Sequence, residues 1–93
     1  MTVQQLKEAL SLKLLAGEEG LSQEVSGCYI GDLLSWVMGR AKAGDAWLTV
    51  MGNISALAVA SLADVACVIM AEGAVLDEVA AGKAKQQEIT VLA

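Results

Sequence analysis

The chain of 93 residues is 56% hydrophobic and carries eleven acidic against six basic residues, for a net charge of −5 at pH 7. The length suits one domain, residues 1–93, and the acidic balance argues against nucleic acid or membrane partners, because anionic phosphates need clustered Lys and Arg. The absence of His excludes His-based acid–base catalysis and removes the commonest metal ligand.

The N-terminal segment is predicted to form a helix. Thr2 followed by Gln5 is a capping box, in which each side chain accepts a hydrogen bond from the backbone N–H of the other residue. Apolar residues at helical spacing then continue as far as Leu14. Gly17 and Gly20 are expected to end this helix and to open a loop.

Beyond this loop, extended and helical segments alternate. Helices are predicted at 33–42, 54–62 and 77–87, with Asp32 as the N-cap of the first and Asp77 opening the last. Strands are predicted near 24–29, 46–51, 65–70 and 88–92. The third of these strands is apolar throughout, as expected of a strand that is covered on both faces.

This alternation predicts parallel strands joined by right-handed crossovers. We therefore predict an α/β fold: a single layered domain with a mainly parallel four-stranded sheet, an N-terminal helix and three crossover helices. The uncharged stretch 46–63 is interpreted as a buried strand followed by a buried helix. This stretch is shorter than a typical membrane span, and it is flanked by Asp45 and Asp64 instead of Lys or Arg.

The cysteines and the N-terminus favour a cytoplasmic protein. Cys28 and Cys67 form no Cys-x-x-Cys motif, so we expect two reduced thiols that pack as small apolar groups. The start Met1–Gln5 lacks the basic and apolar regions of a signal peptide. No cofactor and no bound metal are expected.

No motif of a known catalytic type is complete. Gly82-Lys83 is followed by Ala84 instead of Ser or Thr, and no Gly-x-Gly-x-x-Gly motif occurs, so neither common phosphate-binding loop is present. Without His, no serine has an evident base. An enzyme acting through Asp32 or Glu72 would need an acid–base partner that the sequence does not nominate. We expect a protein that is not an enzyme.

Small and polar residues occur at the predicted strand ends. Ligands of open parallel sheets lie beyond the carboxyl ends of the strands, where glycine lets the backbone approach them. Asn53 could cap a helix whose N-terminus attracts anions, and Glu72 offers an acceptor. These features predict a site for a small anionic or nucleotide-like ligand, formed by Gly27, Tyr29, Asp32, Gly52, Asn53, Glu72 and Gly73. The alternative is that these residues form ordinary strand-to-helix turns.

The helix at 54–62 predicts a subunit contact. Its only polar side chains are Ser55 and Ser61, so one face of a sheet cannot cover it on all sides. Interfaces are also rich in aromatic residues and Arg. We predict a homodimer whose interface includes Leu33, Trp36, Val37, Arg40 and Leu57. The alternative is that Trp36 only covers the sheet.

Three stretches of the chain, Gly31–Gly39, Trp47–Asn53 and Ala63–Gly73, resemble the DRTGG domain. The resemblance covers nearly the whole chain, although Gly52–Ile54 and Ala71–Gly73 stand where the family has Asp-Arg and Thr-Gly-Gly. Larger relatives carry this domain in HPr kinases, phosphotransacetylases and regulatory pyrophosphatases, as a regulatory or dimer-forming part. The resemblance implies such a role here, with a signalling protein as a further partner.

Two functions follow from these observations. The first is a non-catalytic regulatory and dimerisation module that senses a small ligand at the carboxyl ends of its strands. The second is a structural assembly or protein-interaction subunit without a ligand. Screening for binding of nucleotides and acyl phosphates would distinguish them.

Overall fold

Five strands form one sheet in the computed structural model, which describes all residues from Met1 to Ala93. The strands are β1 (Leu14–Ala16), β2 (Gly27–Ile30), β3 (Asp45–Thr49), β4 (Cys67–Met70) and β5 (Val91–Leu92). The helices are α1 (Val3–Ala9), α2 (Leu34–Arg40), α3 (Ile54–Ala63) and α4 (Glu78–Gln86), and a 3₁₀ turn covers Glu18–Gly20. No helix of the structure combines the length and apolarity that crossing a bilayer demands.

The strand order across the sheet is β1-β5-β4-β3-β2. Strands β2 to β5 run parallel to one another, and β1 pairs antiparallel with β5. The predicted α/β fold, with a mainly parallel sheet, an N-terminal helix and three crossover helices, is confirmed. Strand β4 lies at the centre of the sheet and all of its residues are buried, which agrees with its continuous apolar sequence.

The three crossover helices all lie on one face of the sheet. Each crossover leads to the next strand in the same direction, so α2, α3 and α4 pack side by side over one core. This core contains Val37, Trp47, Leu57, Ala60, Val68, Met70, Ala80, Ala84 and Val91. The helix α1 covers the opposite face, where the second core contains Val3, Ala46, Ala66, Cys67, Ile69 and Leu92, with Leu6 of α1 packed against it.

The order of the parallel strands never reverses along the sheet. A reversal is the point at which open α/β sheets form a ligand crevice, because neighbouring crossovers there leave toward opposite faces. The parallel strands of this sheet therefore have no such reversal point, and the ligand site at their carboxyl ends stays a prediction from the sequence.

Two boundaries near the N-terminus differ from the prediction. The Thr2–Gln5 capping box is confirmed, but α1 ends at Ala9 instead of Leu14. The backbone turns at Ser11, which has a positive φ of 54°, and the following residues pair with the end of the chain. The backbone N–H of Lys13 donates to the carbonyl of Ala93, and the N–H of Ala93 donates back. This pairing starts β1, the strand that the sequence did not predict.

Candidate functional site

The predicted ligand residues divide between the two ends of the sheet. Gly27 is the first residue of β2 and lies at the amino end, so its predicted place at the carboxyl edge is wrong. A Cβ at Gly27 would lie 2.6 Å from Oδ1 of Asp45, which explains the glycine by packing alone. Tyr29 lies inside β2, half-buried against the helix-side core. The other five residues follow the carboxyl ends of β2, β3 and β4.

Asp32 connects the ends of two strands. Its Oδ1 accepts hydrogen bonds from the hydroxyl of Thr49, at 2.7 Å, and from the backbone N–H of Val50, at 2.9 Å. These bonds to Thr49 and Val50 lower the pKa of the Asp32 carboxyl. The predicted N-cap role is wrong, because Leu33 occupies the cap position of α2 and no side chain caps that helix.

Gly52 and Asn53 hold the start of α3. The side-chain oxygen of Asn53 accepts a hydrogen bond from the N–H of Ala56 at 2.9 Å, which makes Asn53 the N-cap. A Cβ at Gly52 would collide with the carbonyl of Val75, so only glycine fits there. The carbonyl of Gly52 also accepts a hydrogen bond from the N–H of Asp77 at 2.9 Å. This hydrogen bond joins the loop before α3 to the loop before α4.

Glu72 and Gly73 form the tip of the turn after β4. Both have positive φ values, 58° and 71°, and the N–H of Ala74 donates to the carbonyl of Ala71 at 3.0 Å. Such a turn favours glycine at Gly73 for conformational reasons. The Glu72 side chain is exposed and accepts no hydrogen bond within the chain.

The structure thus brings Asp32, Gly52, Asn53, Glu72 and Gly73 to one edge, and all of them except the Glu72 side chain have a role within the fold. An oxygen of Asp32 and the side-chain oxygen of Asn53 already accept hydrogen bonds from the chain itself. The cavity found near this edge is an open groove of about 340 Å³ with only apolar residues in its lining. Its lining comprises Leu15, Ala74, Val75, Leu76, Ala81 and Ala93, none of which the sequence reasoning had singled out.

The predicted interface residues also divide into two groups. Val37 and Leu57 are 0% and 1% exposed and belong to the core under the helices, so their predicted place in an interface is wrong. Helical periodicity turns these two residues toward the sheet. Leu33, Trp36 and Arg40 are exposed, and the guanidinium carbon of Arg40 lies 3.9 Å from the centre of the Trp36 ring.

The outer face of α3 is an uncharged surface of the helix layer. Its exposed residues are Ile54, Ser55, Ala58, Ser61 and Leu62. No charged residue occurs anywhere from Ala46 to Ala63, although the whole chain carries −5. We call these five residues the α3 face. The sequence predicts this helix, but the buried Leu57 was wrongly predicted to lie on its outer face, because the position of the sheet decides which side of the helix is exposed.

Comparisons with known proteins found no protein-family model, no curated protein and no solved structure that matches this chain. The resemblance to the DRTGG domain stays a prediction from the sequence.

Proposed function

We propose that this chain is a non-catalytic assembly module that forms homodimers through the outer face of its helix layer. The observation that carries the proposal is the α3 face: five exposed residues without a charge, at the centre of a layer of three helices. The resemblance to the DRTGG domain implies the same kind of role.

Charge restricts where two identical copies can meet. Both carry −5, so most surfaces of one copy repel the same surfaces of the other. The α3 face is free of this repulsion, and the cores of protein interfaces are depleted of charged residues. Self-association is therefore least opposed at this face.

Large apolar side chains are also exposed on the outer face of the helix layer. Leu62 is 74% exposed and Ile54 is 44% exposed on the α3 face, while Val79 of the neighbouring α4 is 68% exposed. Trp36 of α2 is 52% exposed beside Arg40. Contiguous exposed apolar patches mark interaction sites on soluble proteins, and Trp and Arg are common in the residues that dominate binding energy.

Sedimentation velocity at micromolar concentration tests the proposal. We expect the wild-type protein to sediment as a dimer and Leu62→Glu to sediment as a monomer, because the variant places two like charges in a desolvated interface. Leu10→Glu is the matched control. Leu10 is 56% exposed but follows α1 on the opposite side of the sheet, so the same charge there should leave the dimer intact.

A wild-type protein that is monomeric at micromolar concentration would refute this function. Equal dissociation of Leu62→Glu and Leu10→Glu would also refute it, because net charge alone would then explain the effect. Ligand sensing at the carboxyl edge stays a prediction from the sequence. It is tested by adding ADP or acetyl phosphate during thermal unfolding, since a ligand that binds only the folded state raises Tm.

A further inference from the structure

The arrangement of exposed residues on α3 and α4 indicates how two copies meet. We infer that the chain forms a twofold-symmetric dimer in which α3 packs antiparallel against α3 of a second copy, with the axis at the height of Ala58. This inference rests on the self-association proposed above and adds its geometry.

The α3 face is symmetric about Ala58. Ile54 and Leu62 lie four residues before and after it, and Ser55 and Ser61 lie three residues before and after it. Residues seven apart lie close to one line along a helix of about 3.6 residues per turn. Ile54 therefore shares one flank of the helix with Ser61, and Leu62 shares the other flank with Ser55.

Antiparallel pairing makes these flanks complementary. Each flank meets the same flank of the second copy in reverse order, so Ile54 lies over Ser61 of the second copy and Leu62 lies over Ser55. Large side chains then fit beside small ones, as they do where ridges pack into grooves. Two Ala58 residues meet at the axis, where their small side chains allow a close approach. Such a self-complementary patch is what a twofold interface requires.

Helix α4 starts at the same height as α3, so the middle of α4 is level with the middle of α3. The caps of α3 and α4 are level, since the N–H of the cap residue Asp77 donates to the carbonyl of Gly52, which precedes the cap Asn53. Ala58 and Gly82 each lie five residues after their caps, so they are level too. One axis can therefore pass at the height of both.

The exposed charges on the helices favour the antiparallel arrangement. Glu78 lies in the first turn of α4, whereas Lys85 and Arg40 lie in the last turns of α4 and α2. Antiparallel pairing lays α4 against α4 of the second copy, which brings Glu78 toward Lys85. A parallel pair would lay α4 against α2 and bring Lys85 toward Arg40, where like charges repel.

Disulfide cross-linking between copies tests this geometry in a Cys28→Ser background, which leaves only the buried Cys67. We expect oxidation of Ala58→Cys to yield a covalent dimer. Ile54→Cys alone should not cross-link, because two such residues would be about 12 Å apart along the antiparallel helices. A mixture of Ile54→Cys and Ser61→Cys should cross-link. Leu10→Cys is the exposed control on the opposite side of the sheet and should remain uncross-linked.

The charge pair provides a second measurement. Glu78→Lys should weaken association by about tenfold, because it places like charges together at two symmetric positions. The double variant Glu78→Lys, Lys85→Glu should restore the wild-type affinity, since opposite charges face each other again. Circular dichroism of each variant would test whether the fold is retained.

Each outcome supports or overturns the inference. Self-linking of Ile54→Cys without linking in the mixture would indicate a parallel pair and overturn it. A dimer in sedimentation that fails to link at Ala58→Cys would also overturn it, while leaving the proposed self-association intact. A monomer in sedimentation would refute the proposed function itself.

Discussion

Single residues show why polar groups at turns are poor evidence for a ligand. Asp32, Asn53 and Asp77 were all identifiable as cap or site residues from their positions, and Asp77 does cap α4 through the N–H of Ala80. Asp32 instead accepts two hydrogen bonds from β3 and the residue after it. The two donors, Thr49 and Val50, are seventeen and eighteen residues away in sequence, so no local pattern could reveal these bonds.

The Asp32 bonds predict a specific pH dependence. Its folded-state pKa is lowered by Thr49 and Val50, so the bonds stabilise the fold fully above the unfolded pKa of about 3.9. This stabilisation is lost as the pH falls through the lower, folded-state pKa. We expect Asp32→Asn to reduce the free energy of unfolding by about 1 kcal/mol at pH 7, a modest value because the carboxylate is exposed and screened.

Urea denaturation at pH 7 and at about pH 2 measures this effect. The difference between wild type and Asp32→Asn should become smaller as the pH falls below the unfolded pKa of about 3.9, because protonation of the carboxyl then removes the charge that strengthens its hydrogen bonds. Glu19→Gln is the control, since Glu19 is exposed on the 3₁₀ turn. An unchanged difference at both pH values would contradict the electrostatic explanation.

The two cysteines should differ strongly in reactivity. Burial raises the pKa of the Cys67 thiol to about 11, so little thiolate exists at neutral pH and reagents cannot reach it. Cys28 is exposed on the edge strand β2. We expect the Cys67→Ser variant to react fast with a thiol reagent and the Cys28→Ser variant to react only after denaturation. Fast labelling of native Cys28→Ser would contradict the placement of β4 inside the sheet.

At the scale of elements, helix starts were more predictable than helix ends. The starts of α1, α3 and α4 carry Thr2, Asn53 and Asp77, whose side chains accept backbone hydrogen bonds. The end of α1 carries no comparable signal, because Ser11 rather than glycine adopts the positive φ. β1 was missed for a related reason: its residues, Leu14–Ala16, continue an apolar pattern that also fits a helix.

Substitution by alanine should change the free energy of unfolding in opposite directions at Gly52 and Gly39. Gly52 packs against the backbone of Val75 and Leu76, so Gly52→Ala should destabilise the fold by about 2–3 kcal/mol. Gly39 lies within α2 with nothing within 4 Å of its Cβ position. Gly39→Ala should stabilise the fold by about 0.5–1 kcal/mol, because alanine favours helix. Chemical denaturation of both variants measures these changes, and a stable Gly52→Ala protein would contradict the tight contact between the two loops.

At the scale of the whole molecule, the fold class was predictable and the spatial order of the strands was not. The alternation of apolar runs and capped helices predicts a parallel α/β sheet. No local sequence pattern shows toward which side of the sheet each crossover places the next strand. That direction decides whether the strand order reverses and forms a crevice at the reversal point. The candidate ligand site was predicted from small and polar residues at the strand ends, and the subunit contact was predicted from the charge-free sequence of the helix at 54–62.

Trp36 provides a test of assembly at this scale. It is half-exposed on α2, outside the core, so Trp36→Ala should leave the fold intact. A Trp at a subunit contact contributes about 2 kcal/mol, so the variant should dimerise about thirtyfold more weakly. Sedimentation equilibrium measures the affinity, with Leu10→Ala as the control on the opposite side of the sheet. A loss of thermal stability without a change in assembly would favour the alternative that Trp36 only covers the sheet.

The unreversed strand order also has a consequence for the way the chain folds. From β2 to β5, every strand pairs with its immediate predecessor in the chain, so the sheet can grow one crossover at a time. The pairing of β1 with β5 is different, since it joins Leu14 to Leu92 and closes almost the whole chain into a loop. Long loops close slowly, so this antiparallel pair should form last and open first. In hydrogen exchange, the amides of Lys13 and Ala93 should therefore exchange through local opening long before those of Val68 in the central strand.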